Sequence, residues 1–190
     1  MGLPTGDEGE TMSNTTALVV IDVQRGLFDE SYDEDREILE RIQGLIERAH
    51  AAGSPVVYVQ HNGWAGHPLE PGAPGFPIHP AIAPGEGDVV VQKTVSDSFY
   101  ATTLQQELEA RGVTHLVIVG AQTEFCVDTT CRRAASLGYG VTLVADGHLT
   151  GDQDPLTWSQ VVAYHNAILP KLVTPNEPIK VRPAAEIAFA

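Results

Sequence analysis

The sequence predicts a parallel α/β protein folded as one domain, and three observations carry that reading. Its apolar runs are short and consecutive, amphipathic helical repeats alternate with them, and Gly or Pro punctuates most junctions. A strand that is apolar at successive positions suits a sheet covered by helices on both faces, whereas a half-exposed strand would alternate. The chain has 190 residues, 43% of them apolar, which suffices for one sizeable core and favours one domain over two.

The elements follow in order. Residues 1–14, MGLPTGDEGETMSN, are acidic and Gly-rich and read as a mobile tail, leaving the domain at 15–190. TALVVIDV (16–23) is the first strand. The helix after it repeats Ile38, Ile42, Leu45, Ile46 and Ala49 until Gly53 and Pro55 stop it, and Ser31 with Glu34 has capping-box spacing ahead of it. PVVYVQ (55–60) is the next strand. Residues 61–87 hold six prolines and six glycines without periodicity, and a 27-residue connection of that kind is either functional or disordered. Its His61, Trp64, His67, Phe76 and His79 favour an ordered lid or interface loop. DVVVQK (88–93) precedes a helix opened by Thr103 with Gln106 and closed by Gly112. HLVIVG (115–120) leads into a helix running from Cys126 to Gly138, a left-handed stop. VTLVAD (141–146) precedes the last long helix, opened by Thr157 with Gln160 and ended by Pro170.

Composition excludes several functions. With 11 Lys+Arg against 25 Asp+Glu, the formal charge of −14 repels nucleic acid and anionic membrane surfaces. The longest apolar runs, such as ALVVI, fall far short of the roughly 20 residues of a membrane helix. The first residues lack the apolar segment of a secretory signal, so a cytoplasmic location is expected. Two cysteines in such a chain read as free thiols. On one helix, Cys126 and Cys131 would have α-carbons roughly 8–9 Å apart, beyond disulfide reach.

In a parallel sheet the carboxyl ends of all strands share one edge, where such folds bind ligands. Asp22 ends ALVVI, Lys93 follows DVVVQ, and Cys126 lies six residues past LVIVG where a helix begins. Alone, an Asp there is a turn residue and a Lys is solvated. Cys131, inside the helix, reads as a small core residue. Cys126 differs because N–H groups at a helix start stabilise an anion, which lowers a thiol's pKa, and they also cradle an oxyanion. A carboxylate beside the thiol supplies a base, and a lysine keeps that carboxylate ionised. The three together fit acyl transfer.

The motifs VVIDVQRGLF, VVQKTVSDSFYATTL and VIVGAQTEFCVDTT carry these residues in an order and spacing that resembles the cysteine hydrolases of the isochorismatase-like superfamily, over about residues 15–175. The resemblance implies a Rossmann-like three-layer fold with a six-stranded, mostly parallel sheet. It also implies an Asp22–Lys93–Cys126 triad, a cis peptide between Ala121 and Gln122, and an oxyanion hole of the Gln122 and Cys126 N–H groups. The implied reaction is hydrolysis of a C–N bond in a small amide, lactam or carbamoyl compound through a thioester. A homodimer or homotetramer is implied as well. Nicotinamidases of the family carry an Asp-x-His metal pair where this chain has QHNGW (60–64), so no zinc and no other cofactor is expected, and His61 is either a substrate contact or a solvated loop residue. Phe28, His61, Trp64, Phe99, Tyr100 and Phe125 lie in or beside the motif loops as walls of a small site or as packing. Glu124 either binds a substrate cation or, the preferred reading, is an acid suited to the helix start. Isochorismatases proper replace the nucleophilic cysteine and cleave a vinyl ether. That reaction, or a non-catalytic thiol sensor of the same fold, is the alternative.

Overall fold

The computed structural model describes residues 15–189, so the tail expected at 1–14 lies outside the described residues. Six strands form one parallel sheet: β1 (Thr15–Ile21), β2 (Val56–His61), β3 (Val89–Lys93), β4 (Val113–Ala121), β5 (Gly140–Leu149) and β6 (Lys180–Arg182), in the order β3-β2-β1-β4-β5-β6. The helices are α1 (Asp33–Ala51), α2 (Leu104–Glu109), α3 (Asp128–Ser136) and α4 (Trp158–Ile168). The chain order reverses between β1 and β4, the switch point at which such sheets open a crevice at their carboxyl edge.

Burial on both faces explains the consecutive apolar runs. In β1, Ala17, Val19 and Ile21 enter one core cluster with Leu104, Leu108 and Cys131, while Leu18 and Val20 enter the other with the Ile38, Ile42 and Leu45 face of α1. Fully burying each such side chain contributes about 1.5–3 kcal/mol. The two clusters clamp the sheet and fix the register of its strand ends.

Local signals fared unevenly. Thr157 and Gln160 form a complete capping box at α4, and Pro170 sits in the 3-10 turn that ends it. The Ser31–Glu34 box does not form: α1 starts at Asp33 after Tyr32 without a side-chain cap, and the Ser31 N–H that Glu34 would take is bonded to Asp29 Oδ1. Thr103 likewise makes no cap bond, and the neighbouring Thr102 hydroxyl accepts from the Leu104 N–H instead. Gly112 and Gly138 take the left-handed φ expected of helix stops, at 62° and 94°.

The long connection after β2 is tied to the β1–α1 loop. Gln24, completely buried, donates to the carbonyls of His61 and Phe76, and its Oε1 accepts from the His61 N–H. Backbone bonds from Arg25 to Pro77, Gly26 to Gly75 and His79 to Val23 complete the seam. At Gly120 (φ 126°) β4 passes β1 so closely that a β-carbon would lie 1.9 Å from the Ile21 carbonyl oxygen.

Candidate active site

Asp22, Lys93 and Cys126 come from three elements and meet at the carboxyl edge. Asp22 is the first residue past β1 and takes a left-handed backbone (φ 51°), with its N–H bonded to the Val59 carbonyl. That conformation is several-fold commoner for Asp and Asn than for other side chains. Lys93 ends β3, at the sheet edge two strands from β1, so its long side chain spans the gap that the strand order leaves. Its Nζ lies 2.6 Å from Asp22 Oδ2, 3.1 Å from Cys126 Sγ, 3.2 Å from the Val95 carbonyl and 3.3 Å from His61 Nδ1. Both members of the ion pair are buried, and Asp22 Oδ1 has no hydrogen-bond partner.

Cys126 stands in a π-helical turn, Thr123–Val127, that connects β4 to α3. Gln122 precedes it, the Ala121–Gln122 peptide is cis, and the Gln122 carbonyl accepts from the N–H groups of Phe125 and Val127. The side chain of Cys126 is partly buried against the core cluster of α2 and α3.

The electrostatics correct one expectation. Burial, followed by the negative charge of Asp22, pushes the Cys126 thiol up to about 11, against a smaller lowering by Lys93. Desolvation therefore works against the thiolate that the helix start was expected to favour. Burial also raises the Asp22 carboxyl above its ordinary range, although Lys93 opposes this. A thiol and a carboxyl raised together make a pair between which a proton can pass.

The remaining sequence candidates scatter. His61 ends β2 and faces Lys93, and burial followed by the Lys93 charge lowers it to about 4, so it is neutral. Trp64 is 72% exposed and packs on His67 with ring centroids 4.4 Å apart. Tyr100 and Phe125 are exposed. Phe99 is buried in the core against Tyr139, so it packs and does not wall an open site. Phe28 lines a cleft of about 920 Å³ that reaches Gln122. None of the three clustered residues lines that cleft, and Gln122 is the candidate site residue that joins it to them. Its walls carry Asp29, Glu30, Glu34, Asp35 and Asp152 against Arg25 and His79. Among the described residues, no group of three or more His, Cys, Asp or Glu is arranged to hold a metal ion.

Sequence reasoning missed the supports. Gln24 was legible only as part of the VVIDVQRGLF motif, and its role as the pin of the long loop needed the fold. Glu124 bonds the Thr150 hydroxyl at 2.8 Å and leaves Oε2 buried without a partner. Thr123, His148 and Asn166 form a chain behind the turn whose members lie up to 43 positions apart.

Comparison with known proteins agrees with this fold. Residues 16–166 match the isochorismatase domain. A streptothricin hydrolase from Streptomyces noursei is 41% identical over 138 residues, a stretch covering 72% of this chain and 50% of that one, so the chain spans about half the length of that relative. A ureidoacrylate amidohydrolase from Caulobacter segnis is 30% identical over 179 residues, covering 73% of this chain and 74% of that one. Among solved structures, an isochorismatase from Pseudomonas putida KT2440 superposes with a TM-score of 0.81 at 27% identity, covering 92% of this chain and 90% of that one. With its six-stranded parallel sheet and the matched span between β1 and α4, the chain belongs to the isochorismatase family of hydrolases.

Proposed function

We propose that this protein is a cysteine-dependent hydrolase that cleaves a C–N bond of a small amide, lactam or carbamoyl compound. The observation that carries the reading is the single ammonium of Lys93 held 2.6 Å from Asp22 and 3.1 Å from Cys126. Relatives named streptothricin hydrolase and ureidoacrylate amidohydrolase support the amide class.

In the mechanism, Asp22 takes the proton of the Cys126 thiol as Sγ attacks the substrate carbonyl. The tetrahedral oxyanion rests on the N–H groups of Gln122 and Cys126. Asp22 returns the proton to the leaving amine, which departs as the C–N bond breaks and a thioester remains. Water then attacks the thioester while Asp22 accepts its proton, and the carboxylic acid product leaves as the thiol is reformed. Lys93 keeps its charge beside both groups throughout and offsets the negative charge that moves between them. The same ammonium at His61 Nδ1 disfavours a metal cation there.

The cleft at Gln122 is the proposed substrate site. Its five carboxylates favour a neutral or cationic substrate over an anion, which argues against isochorismate, a dicarboxylate. Activity should fall on acidification above the ordinary carboxylate range, because Asp22 must be ionised to act and its pKa is raised. The test is a panel of small amides, lactams and carbamoyl compounds assayed by amine or ammonia release with wild-type and Cys126→Ala protein. Turnover lost in the variant and a thioester-sized mass increment on the wild type are expected. Pyruvate release from isochorismate that survives Cys126→Ala would sink the proposal.

A further inference from the structure

Behind the turn that carries Cys126 lies a buried polar chain that the mechanism above does not use. Thr123 and His148 are completely or almost completely buried. Thr123 Oγ1 is 2.8 Å from His148 Nδ1, His148 Nε2 is 3.0 Å from Asn166 Oδ1, and Asn166 Nδ2 donates to the Ala145 carbonyl at 2.9 Å. The carbonyl sets the direction of every bond. It can only accept, so the Asn166 amide presents NH₂ to it and Oδ1 to the imidazole. His148 must then carry its hydrogen on Nε2, which leaves Nδ1 as an acceptor, and the Thr123 hydroxyl donates to it.

We propose that His148 is a positioning residue for the nucleophile turn, holding Thr123 and through it the Gln122–Cys126 backbone in the geometry that receives the oxyanion. The assignment rests on the hydrolase reading above. Thr123 opens the π-helical turn, next to Gln122 and three residues before Cys126. Its side chain is thereby anchored to β5 and α4, two elements outside the turn. A misplacement of about 1 Å in such a site can cost a hundredfold in rate.

The chain works only with a neutral imidazole, since a charged ring would donate from both nitrogens and turn the hydroxyl round. The groups around the ring keep it neutral. Burial lowers its pKa to about 4, His165 on α4 adds to the lowering, and the Asn166 bond and Asp146 on β5 oppose it. The Thr123 hydroxyl is uncharged and faces Nδ1.

Three measurements test the proposal. The ring-nitrogen NMR shifts of His148 in the wild-type protein should report the neutral Nε2–H tautomer at neutral pH, whether or not a substrate is known. A Nδ1–H tautomer or a charged ring would overturn the chain. Thr123→Val, which keeps shape and removes the hydroxyl, should lower kcat about a hundredfold with KM nearly unchanged. Thr123→Ser should recover most of the loss, and unchanged kcat in the valine variant would overturn the positioning role. Asn166→Asp should place a charge on His148 near neutral pH and create a second acid limb in kcat, at higher pH than the one that Asp22 sets in the wild type. A ring that stays neutral there, or a charged ring without the limb, would overturn the proposal too. Absence of any amide hydrolysis by the wild type would sink the proposed function and leave the tautomer measurement to decide the hydrogen-bond chain by itself.

Discussion

Cys126 and Cys131 stand five residues apart, one in the π-helical turn and one in α3, and burial raises the pKa of both. The direction of the shift does not separate them. Cys131 is completely buried among apolar side chains, with Asp128 opposing its ionisation. Cys126 is only partly buried and lies beside Lys93 and Asp22, whose Oδ1 is unbonded. The difference teaches that a reactive thiol in this fold is defined by a neighbour able to take its proton, more than by a low pKa of its own.

Replacing each cysteine tests that contrast most severely. Cys126→Ala should lower kcat about 10⁴-fold or more, whereas Cys131→Ala should leave kcat within about twofold. Equal losses in a steady-state assay would erase the distinction. Asp22→Asn should approach the same loss without refolding the loop, since Asn also accepts the left-handed backbone at this position. Lys93→Met leaves the Asp22 carboxylate buried without its ammonium and should cost about 3–5 kcal/mol of unfolding free energy in denaturant titration. An unchanged midpoint would mean that Asp22 is neutral in the resting protein. Iodoacetamide should modify Cys126 in the native protein and Cys131 only when the protein unfolds, and mass spectrometry showing two labels under native conditions would contradict the burial of α3.

Acidification gives a smaller effect with a definite sign. His148 has a folded pKa of about 4 against an ordinary 6.5, so between those values the unfolded chain binds the extra proton. Stability should fall as pH drops through that window, by about 1.4 kcal/mol per pH unit for one such group. His148→Gln should flatten the slope, and an unaltered slope would place the titration elsewhere. The smallest effect is the stability of Cys131→Ala, where loss of one buried sulfur should cost about 1–2 kcal/mol by thermal unfolding.

Much of the architecture was legible because strands buried on both faces leave an unmistakable pattern, and VVI before Asp22 is such a strand, whereas VVV before Gln92 and Lys93 lies on the edge strand β3, where Val90 is exposed. The reading was weaker where a signal is short or shared. β5 continues past VTLVAD to Leu149, and β6 has three residues with only Val181 half-buried, too few to show a period. The Ser31–Glu34 pattern lost to Asp29, whose side chain takes the Ser31 N–H that Glu34 would need. In the site, the three residues that meet were marked by ending apolar runs or opening a helix. The direction of the thiol shift was misread because a dipole argument sees the helix start and not the depth of burial. Thr123, His148 and Asn166 were silent for a related reason: an ordinary Thr, His and Asn become informative only when folding seals them together away from water.

The absent side chain at Gly120 acts as a ruler. With β4 and β1 in contact through bare backbone there, the gap between the arm bearing the acid and the arm bearing the sulfur is set by one hydrogen atom. Even an alanine would wedge the two apart at the hinge of the crevice, and a methyl group could disarm the protein without touching any residue that reacts.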